Sequence, residues 1–507
     1  MKSFELSKNH MLMVMGSLAI INIAIRYNDY LGYTDIRWFL LIAQKFIEGG
    51  HYGKDFYEFN TPLSFLIYLP ALLLSKIFLS DPLGWIGLFY SAFVLFCLNK
   101  TLLIFQEYNS ISNPKEKNIL LFLLFILFVI FPDSSVFAQR DVIVFLACLP
   151  YLTQRIQSPH SPCNYLFLLA LFSIWIKPYV AIALVAIWVI SNIIYKVPIK
   201  KKEIFLLSIT ILSYCIFIQL FFEEWWHIIY VTSQSYYAYN ASLEQLFFKY
   251  LPLTCLLMLV TTLSKKHLPF VIIAAVFGVN AFIQKKPFSY YSFGAEALII
   301  SILLFILIKK WHQSLQFLFC MMLSLALLAF QFHLKKADLL EYNQNYSKIE
   351  NIFNHHLKAK ESVFIFSLNM DTFQVLIKNN ITTASRYLFM WPLKPFLEKN
   401  HFSSEYINTQ LSELSFNINE DIKQKKPTII MIPYFFVNTN YANFLYQNSL
   451  KINCLTTENI EKCENFYRLI NTMKLINLPS IISSYYTLKY TIEYPEKTNI
   501  MAVYIRN

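Results

Sequence analysis

Glycine is scarce in this chain and stops early: all nine glycines of its 507 residues fall between Gly16 and Gly294. A Gly-rich phosphate loop is therefore excluded from the C-terminal third, because such loops need glycine for close approach of backbone amides to the anion. Charge is sparse too, at 15% of residues against roughly 25% in soluble domains. That excludes a chain that is water-solvated throughout. The eight cysteines lack metal-ligand spacing. Cys97, Cys148, Cys163, Cys215, Cys255 and Cys320 lie in or beside apolar runs, where cysteine packs as a small hydrophobe. Cys454 and Cys463 stand apart from them and can pair if they face an oxidising compartment.

What the chain does have is hydrophobicity, 56% of residues, with 17% aromatic. Apolar runs of helical membrane-crossing length recur at 10–28, 62–79, 83–106, 118–132, 139–154, 163–195 (interrupted at Lys177-Pro178), 203–222, 247–263, 268–284, 290–308 and 313–332. The first run follows a charged start but no small-x-small cleavage site, so it is expected to stay as a first span. After His333 the runs stop. Short β-rich stretches at 362–368, 428–435 and 500–505 then alternate with helical ones at 409–422 and 459–474. The expected fold is a polytopic α-helical membrane protein of about 11–13 transmembrane helices over residues 1–333, followed by a soluble α/β domain over 334–507.

The net charge of +12 does not point to nucleic acid. Its lysines cluster beside spans, in Lys200-Lys201-Lys202, Lys265-Lys266 and Lys309-Lys310, where the positive-inside rule puts them. With those clusters cytoplasmic, 223–246, 285–289 and everything after 333 lie on the other face, so the tail is expected outside the cytoplasm. Residues 223–246 carry Trp225, Trp226, Tyr230, Tyr236, Tyr237 and Tyr239, a density that suits a membrane interface. The usage, rich in Lys, Asn and Ile, fits an AT-rich bacterial genome, hence the inner membrane of a bacterium with the tail in the periplasm.

The first outer loop, 29–61, reads Tyr33-Thr34-Asp35-Ile36-Arg37-Trp38, then an amphipathic stretch to Gly49-Gly50, then Tyr52-Gly53-Lys54-Asp55-Phe56-Tyr57-Glu58-Phe59-Asn60-Thr61-Pro62-Leu63. Further along come Gln139-Arg140-Asp141 followed by Leu149-Pro150-Tyr151, then Lys177-Pro178-Tyr179, then Gln284-Lys285-Lys286 followed by Tyr290-Tyr291. An acid just beyond the first span, an interfacial helix and an aromatic-acidic-Pro-Leu lead into the second span, in this order, resemble the GT-C membrane glycosyltransferases. The resemblance is closest to the bacterial branch related to protein O-mannosyltransferases and lipid A aminoarabinose transferases, and it covers about 330 residues. It implies an enzyme, a glycosyltransferase moving a sugar from a polyprenyl-phosphate carrier to a glycan, glycolipid or protein acceptor on the outer face, with inversion at the sugar carbon. Where relatives usually carry His or Lys before the proline, this chain has Asn60-Thr61, so phosphate binding is not carried over to that position.

Such a transfer passes through an oxocarbenium-like state while the leaving phosphate gains charge. It needs a carboxylate near the acceptor and cations near the phosphate. Asp35 is the candidate for the first, as general base or as ligand to a divalent ion, Mg or Mn; Glu58, and more weakly Asp55, is the candidate second carboxylate. Arg140 and Asp141 open an apolar segment, where ionisable groups are expensive and functional by default, though an interfacial ion pair would look the same. Lys177 stands at a break imposed by Pro178, where it can meet a carrier phosphate or simply snorkel. Lys285 and Lys286, near Tyr290 and Tyr291, run against the charge bias and suggest an anionic lipid partner. Strict alternation of spans sets Arg140 on the face away from Asp35. Bringing them together requires one of 83–106, 118–132 or 139–154 to span only in part, or 163–195 to be two pieces. The rival function is a transporter or flippase of a lipid-linked or anionic substrate, which also uses buried charge but predicts symmetric halves. A membrane scaffold whose tail binds a protein is a third, for which Asp35 is dispensable.

Overall fold

The computed structural model describes residues 8–27, 34–58, 60–107, 113–133, 135–157, 165–229, 242–285, 290–311, 313–358, 361–366, 372–387, 404–433, 482, 485–493 and 500–507. Lys286, Cys163, Cys454, Cys463, Tyr230, Tyr236, Tyr237, Tyr239 and the stretch 459–474 lie outside them. The chain forms two compact units. The first comprises Met1–Ile36, Thr61–Phe221 and Asn240–Lys336, the second Arg37–Asn60, Phe222–Tyr239 and Ala337–Asn507.

The first unit is helical. Among the described residues, six helices are long and apolar enough to cross a membrane: Asn9–Arg26, Pro82–Glu107, Lys201–Phe221, Leu243–Leu263, Lys265–Ile283 and Tyr290–Ile308. Four apolar stretches are shorter, Leu63–Phe78, Tyr165–Ile176, Val180–Ile194 and Leu315–Gln331. The helices are labelled α1 (Lys8–Tyr27), α2 (Thr34–Ile47), α3 (Leu63–Leu66), α4 (Leu69–Phe78), α5 (Pro82–Glu107), α6 (Pro114–Phe125), α7 (Arg140–Gln157), α8 (Tyr165–Ile176), α9 (Val180–Tyr195), α10 (Lys201–Phe221), α11 (Leu243–Leu263), α12 (Leu268–Ile283), α13 (Tyr290–Ile308) and α14 (Gln313–His356). Helix α6 starts where Asn113 accepts from the Lys115 amide with Pro114 at the first turn. It continues as a π-helical turn, Ile126–Ile130. Helix α7 is buried along nearly its whole length, whereas α10 and α11 leave Phe205, Leu212, Leu220, Phe247, Phe248 and Met258 exposed, as a lipid-facing surface requires.

Contacts between helix ends show which way each helix runs. At one end, Arg26 closes α1 by donating to the carbonyls of Ile130 (3.2 Å) and Pro132, and its guanidinium lies 4.6 Å from the Phe137 ring centroid. Gln331 of α14 reaches the Ile130 and Pro132 carbonyls there as well. The start of α5 is at this end too: Gly87 abuts Ile23, and the Tyr90 hydroxyl donates to the Phe128 carbonyl at 2.9 Å. At the other end, Arg155 pairs with Glu203 at 3.3 Å and donates to the Pro198 carbonyl, and Lys100 stands over the Tyr165 ring.

Two sequence expectations are corrected by these directions. The run 62–79 is not a crossing. Its first turn donates from Thr61 and Ser64 to the Ile176 carbonyl, Tyr68 reaches the Ala138 carbonyl, and α5 then begins at that same end. It is two short helices broken at Tyr68, too short for a hydrocarbon core of about 30 Å. The run 163–195 is not one long broken span but a hairpin. Phe167 near the start of α8 packs against Trp188 late in α9 (6.1 Å) and against Tyr151 (4.6 Å), so both helices have their far ends beside Glu203 and turn at Lys177-Pro178-Tyr179. With 62–79 removed from the alternation, Arg140 falls at the Asp35 end. The crossings of 83–106, 118–132 and 139–154 need no shortening.

Among the described residues, the second unit carries a mixed sheet of five strands, the α/β tail expected. Its strands are β1 (Ser362–Ile365), β2 (Thr382–Thr383), β3 (Ile429–Pro433), β4 (Tyr486–Glu493) and β5 (Ile500–Arg506), in the order β2-β1-β3-β5-β4. Strands β2 and β3 run parallel to β1, and β5 is antiparallel to β3 and β4. The parallel crossovers contain α15 (Thr372–Lys378) and α16 (Ser404–Lys425). Helix α16 buries Leu414, Ile418 and Ile422, four residues apart and so on one face, while Val363, Phe364, Ile430 and Ile432 of the sheet are buried completely. Residues 37–60 pack into this unit: Lys45 donates to the carbonyls of Asp55 (2.9 Å) and Ser385, Gln44 reaches Asn380, and Trp38 meets Phe373 edge-on.

Candidate functional site

Four charged side chains of the first unit meet where three short elements converge. Asp35 stands in the first turn of α2, Arg140 and Asp141 open α7, and Lys177 sits at the apex of the α8–α9 hairpin. Proline explains the apex: Pro178 cannot donate an amide hydrogen to continue α8, and the chain turns there. Asp35 Oδ2 lies 4.0 Å from Arg140 Nη2, and Asp141 Oδ2 lies 3.3 Å from Lys177 Nζ. The Tyr179 hydroxyl donates to Asp141 Oδ1. Lys177 also faces the Tyr291 ring at 5.3 Å, within cation–π range, and Tyr290 stacks on Tyr291 at 4.9 Å.

Exposure divides the two carboxylates. The Asp141 side chain is 2% exposed and that of Asp35 28%, so Asp35 is the more accessible of the two, while Asp141 holds Lys177 and Tyr179 in place. Packing pushes the Asp35 carboxyl above its ordinary value, against the lowering effect of Arg140 and Lys177. The pair with Arg140 sits at the outer limit for an ion pair, whereas Lys177 is drawn in more tightly. The group can take a proton at Asp35 and stabilise negative charge at Arg140 and Lys177.

Of the expected site residues, the structure gathers Asp35, Arg140, Asp141, Lys177 and Tyr291, with Tyr290 stacked behind. Lys285 follows the end of α12, exposed, with a left-handed backbone at φ 53°. Glu58 belongs to the second unit. It is completely buried and accepts from the Trp38 indole and from the Asn60 amide and side chain. Asp55 is in that unit as well, 3.3 Å from Lys425. Tyr179, which donates to Asp141, is a member that sequence reasoning left unassigned; its signal is its place after Lys177-Pro178.

A divalent ion held by protein ligands alone does not fit this donor set. Among the described residues no three of His, Cys, Asp and Glu come together, and each of the two carboxylates already faces a cation.

No protein-family profile matches the chain, and no curated protein matches it. Solved structures resemble it at low level. One is the oligosaccharyltransferase of Archaeoglobus fulgidus in its apo form, at 12% identity over 88% of this chain and 71% of that one, with a TM-score of 0.44. Another is the same enzyme tethered to an acceptor peptide containing an NVT sequon, at 11% identity over 97% of this chain and 74% of that one, with a TM-score of 0.43. Likeness at this level assigns no function to the chain.

Proposed function

We propose that this chain is a membrane glycosyltransferase that moves a sugar from a polyprenyl-phosphate carrier to an acceptor hydroxyl at the Asp35 end of its helices. The observation that carries the reading is the partly exposed carboxylate of Asp35 set against Arg140 and Lys177. The order of motifs shared with the GT-C enzymes supports it. So does the need of a lipid-linked donor for a site at headgroup depth. Asp35 takes the proton of the acceptor hydroxyl as its oxygen forms the new bond to the sugar carbon. The carrier phosphate leaves with the electrons of the old bond, and Arg140 and Lys177 stabilise its charge. A single displacement inverts the sugar carbon. The basic clusters at 200, 265 and 309 support an Asp35 end outside the cytoplasm, in a bacterium the periplasmic face of the inner membrane.

The test is transfer of radiolabelled sugar from polyprenyl-phosphate donors to membrane acceptors by wild type and Asp35→Asn at equal folded amounts. Loss by about 10²-fold or more in the variant is expected, the lower range of general-base contributions. Equal activity removes Asp35 from the chemistry, and no transfer from any donor by the wild type returns the chain to the transporter reading.

A further inference from the structure

Below the charged cluster the first unit holds polar groups that the proposed chemistry does not use. Tyr250 of α11 and Asn280 of α12 are 6% and 5% exposed, and the Tyr250 hydroxyl and Asn280 Nδ2 are buried without a hydrogen-bond partner. Within a membrane span no water satisfies such groups, and each orphan is costly. They are brought level by close helix packing. A Cβ at Gly278 would stand 2.8 Å from Leu253, so α11 and α12 touch there, and Tyr250 meets Phe282 at 5.8 Å one turn along. Glu296 of α13, which is hydrogen-bonded to Ser292 and faces Lys249, is within electrostatic reach of the Tyr250 hydroxyl, as is Asp141. Tyr250, Asn280 and Glu296 lie roughly 5 to 10 Å along their helices from the Asp35 end, at a rise of about 1.5 Å per residue.

We propose that Tyr250, Asn280 and Glu296 form a subsite for the hydroxyl-bearing ring of the donor sugar, beneath the groups that face its phosphate. The assignment rests on the glycosyltransferase reading and deepens it. A carboxylate accepts hydrogen bonds from hydroxyl groups, an amide gives and accepts them, and a phenol does both. Together they suit a neutral ring rich in hydroxyls. Lys249, with its Nζ 6.0 Å from the Tyr250 ring, offsets the charge of Glu296, so the place is close to neutral and lacks the excess of cations that a phosphate needs. Asn280 and Tyr250, orphaned without ligand, gain partners when the ring enters.

Binding of two probes to the full chain in detergent tests this: a polyprenyl-phosphate hexose, and the same polyprenyl phosphate without sugar. The wild type is expected to prefer the sugar-loaded carrier about tenfold or more, the scale of one or two well-placed hydrogen bonds. Glu296→Gln and Asn280→Ala each reduce that preference and leave affinity for the bare carrier unchanged. A wild type without preference, or variants that keep it in full, overturns the subsite. Should either variant lose the bare carrier as well, Tyr250→Phe, which removes one oxygen, decides: lost preference upholds the subsite and full preference rejects it. A wild type that discriminates the carriers but transfers nothing upholds the subsite and rejects the transferase.

Discussion

Asp141 and Asp35 differ in what their removal leaves behind. Asp141→Asn strands Lys177 in a buried position without its charge partner, a loss of about 3–5 kcal/mol for a broken buried pair. Asp35→Asn removes a partly exposed group from a 4.0 Å contact and is expected to cost far less. Denaturant unfolding of the full chain in detergent checks the order, and equal costs would refute the division of roles. The raised Asp35 carboxyl also predicts a pH profile: kcat/KM climbs with pH as Asp35 loses its proton, with the midpoint above the ordinary carboxylate range, and a midpoint at or below that range counts against Asp35 as base. Lys45 gives a separate signature in the second unit. Burial pushes it down from 10.5 to about 7, with Lys425 adding to the fall and Asp421, Asp55 and Glu48 opposing it. Between those values the unfolded chain keeps a proton that the folded chain has lost, so Lys45 makes stability rise with pH through that window. Lys45→Met is expected to lack that part of the rise between pH 7 and 9, and parallel profiles would exclude it. Asp35, Arg140, Asp141 and Lys177 were legible in the sequence because ionisable groups beside apolar runs need a reason. Tyr179, Tyr250 and Asn280 were not, because such residues in an apolar run raise no comparable alarm.

Among the helices, the apolar runs revealed where a helix lies but not which way it runs. The stretches 62–79 and 163–195 read as crossings on hydropathy, yet one returns to its own side and the other folds into a hairpin. Tyr68 bonding to Ala138, and Phe167 packing against Trp188, are contacts between residues far apart in sequence. No local pattern encodes them. Close helix approach is likewise set by single glycines. A Cβ at Gly294 would stand 2.6 Å from the Phe145 ring, next to the turn that carries Arg140 and Asp141, whereas one at Gly84 meets nothing within 4 Å. Gly294→Ala is expected to destabilise by about 1–3 kcal/mol, as overpacking does. Gly84→Ala is expected to be neutral or to gain up to about 1 kcal/mol from helix propensity. Unfolding midpoints that fail to separate the two would undo the packing argument.

For the molecule as a whole, the directions of the helices set the relative sides of the described loops of the first unit. Ser80, in the turn between α4 and α5, belongs to the Asp35 end, while Lys201 at the start of α10 belongs to the Arg155–Glu203 end. Ser80→Cys and Lys201→Cys are therefore expected to react with a membrane-impermeant maleimide from opposite faces. Reaction from the same face would restore 62–79 as a crossing. The hairpin adds a consequence of a different kind. Its arms contain 12 and 16 residues, about 18 and 24 Å at helical rise, so Lys177 stands short of the full width of a hydrocarbon layer about 30 Å thick. Where water reaches down to that apex, the transmembrane voltage falls across the thinner remainder. On the glycosyltransferase reading, a carrier phosphate reaching Lys177 would cross part of the electrical drop, worth about 2.3 kcal/mol per charge over a full 100 mV, and the energised state of the membrane would then act on its binding.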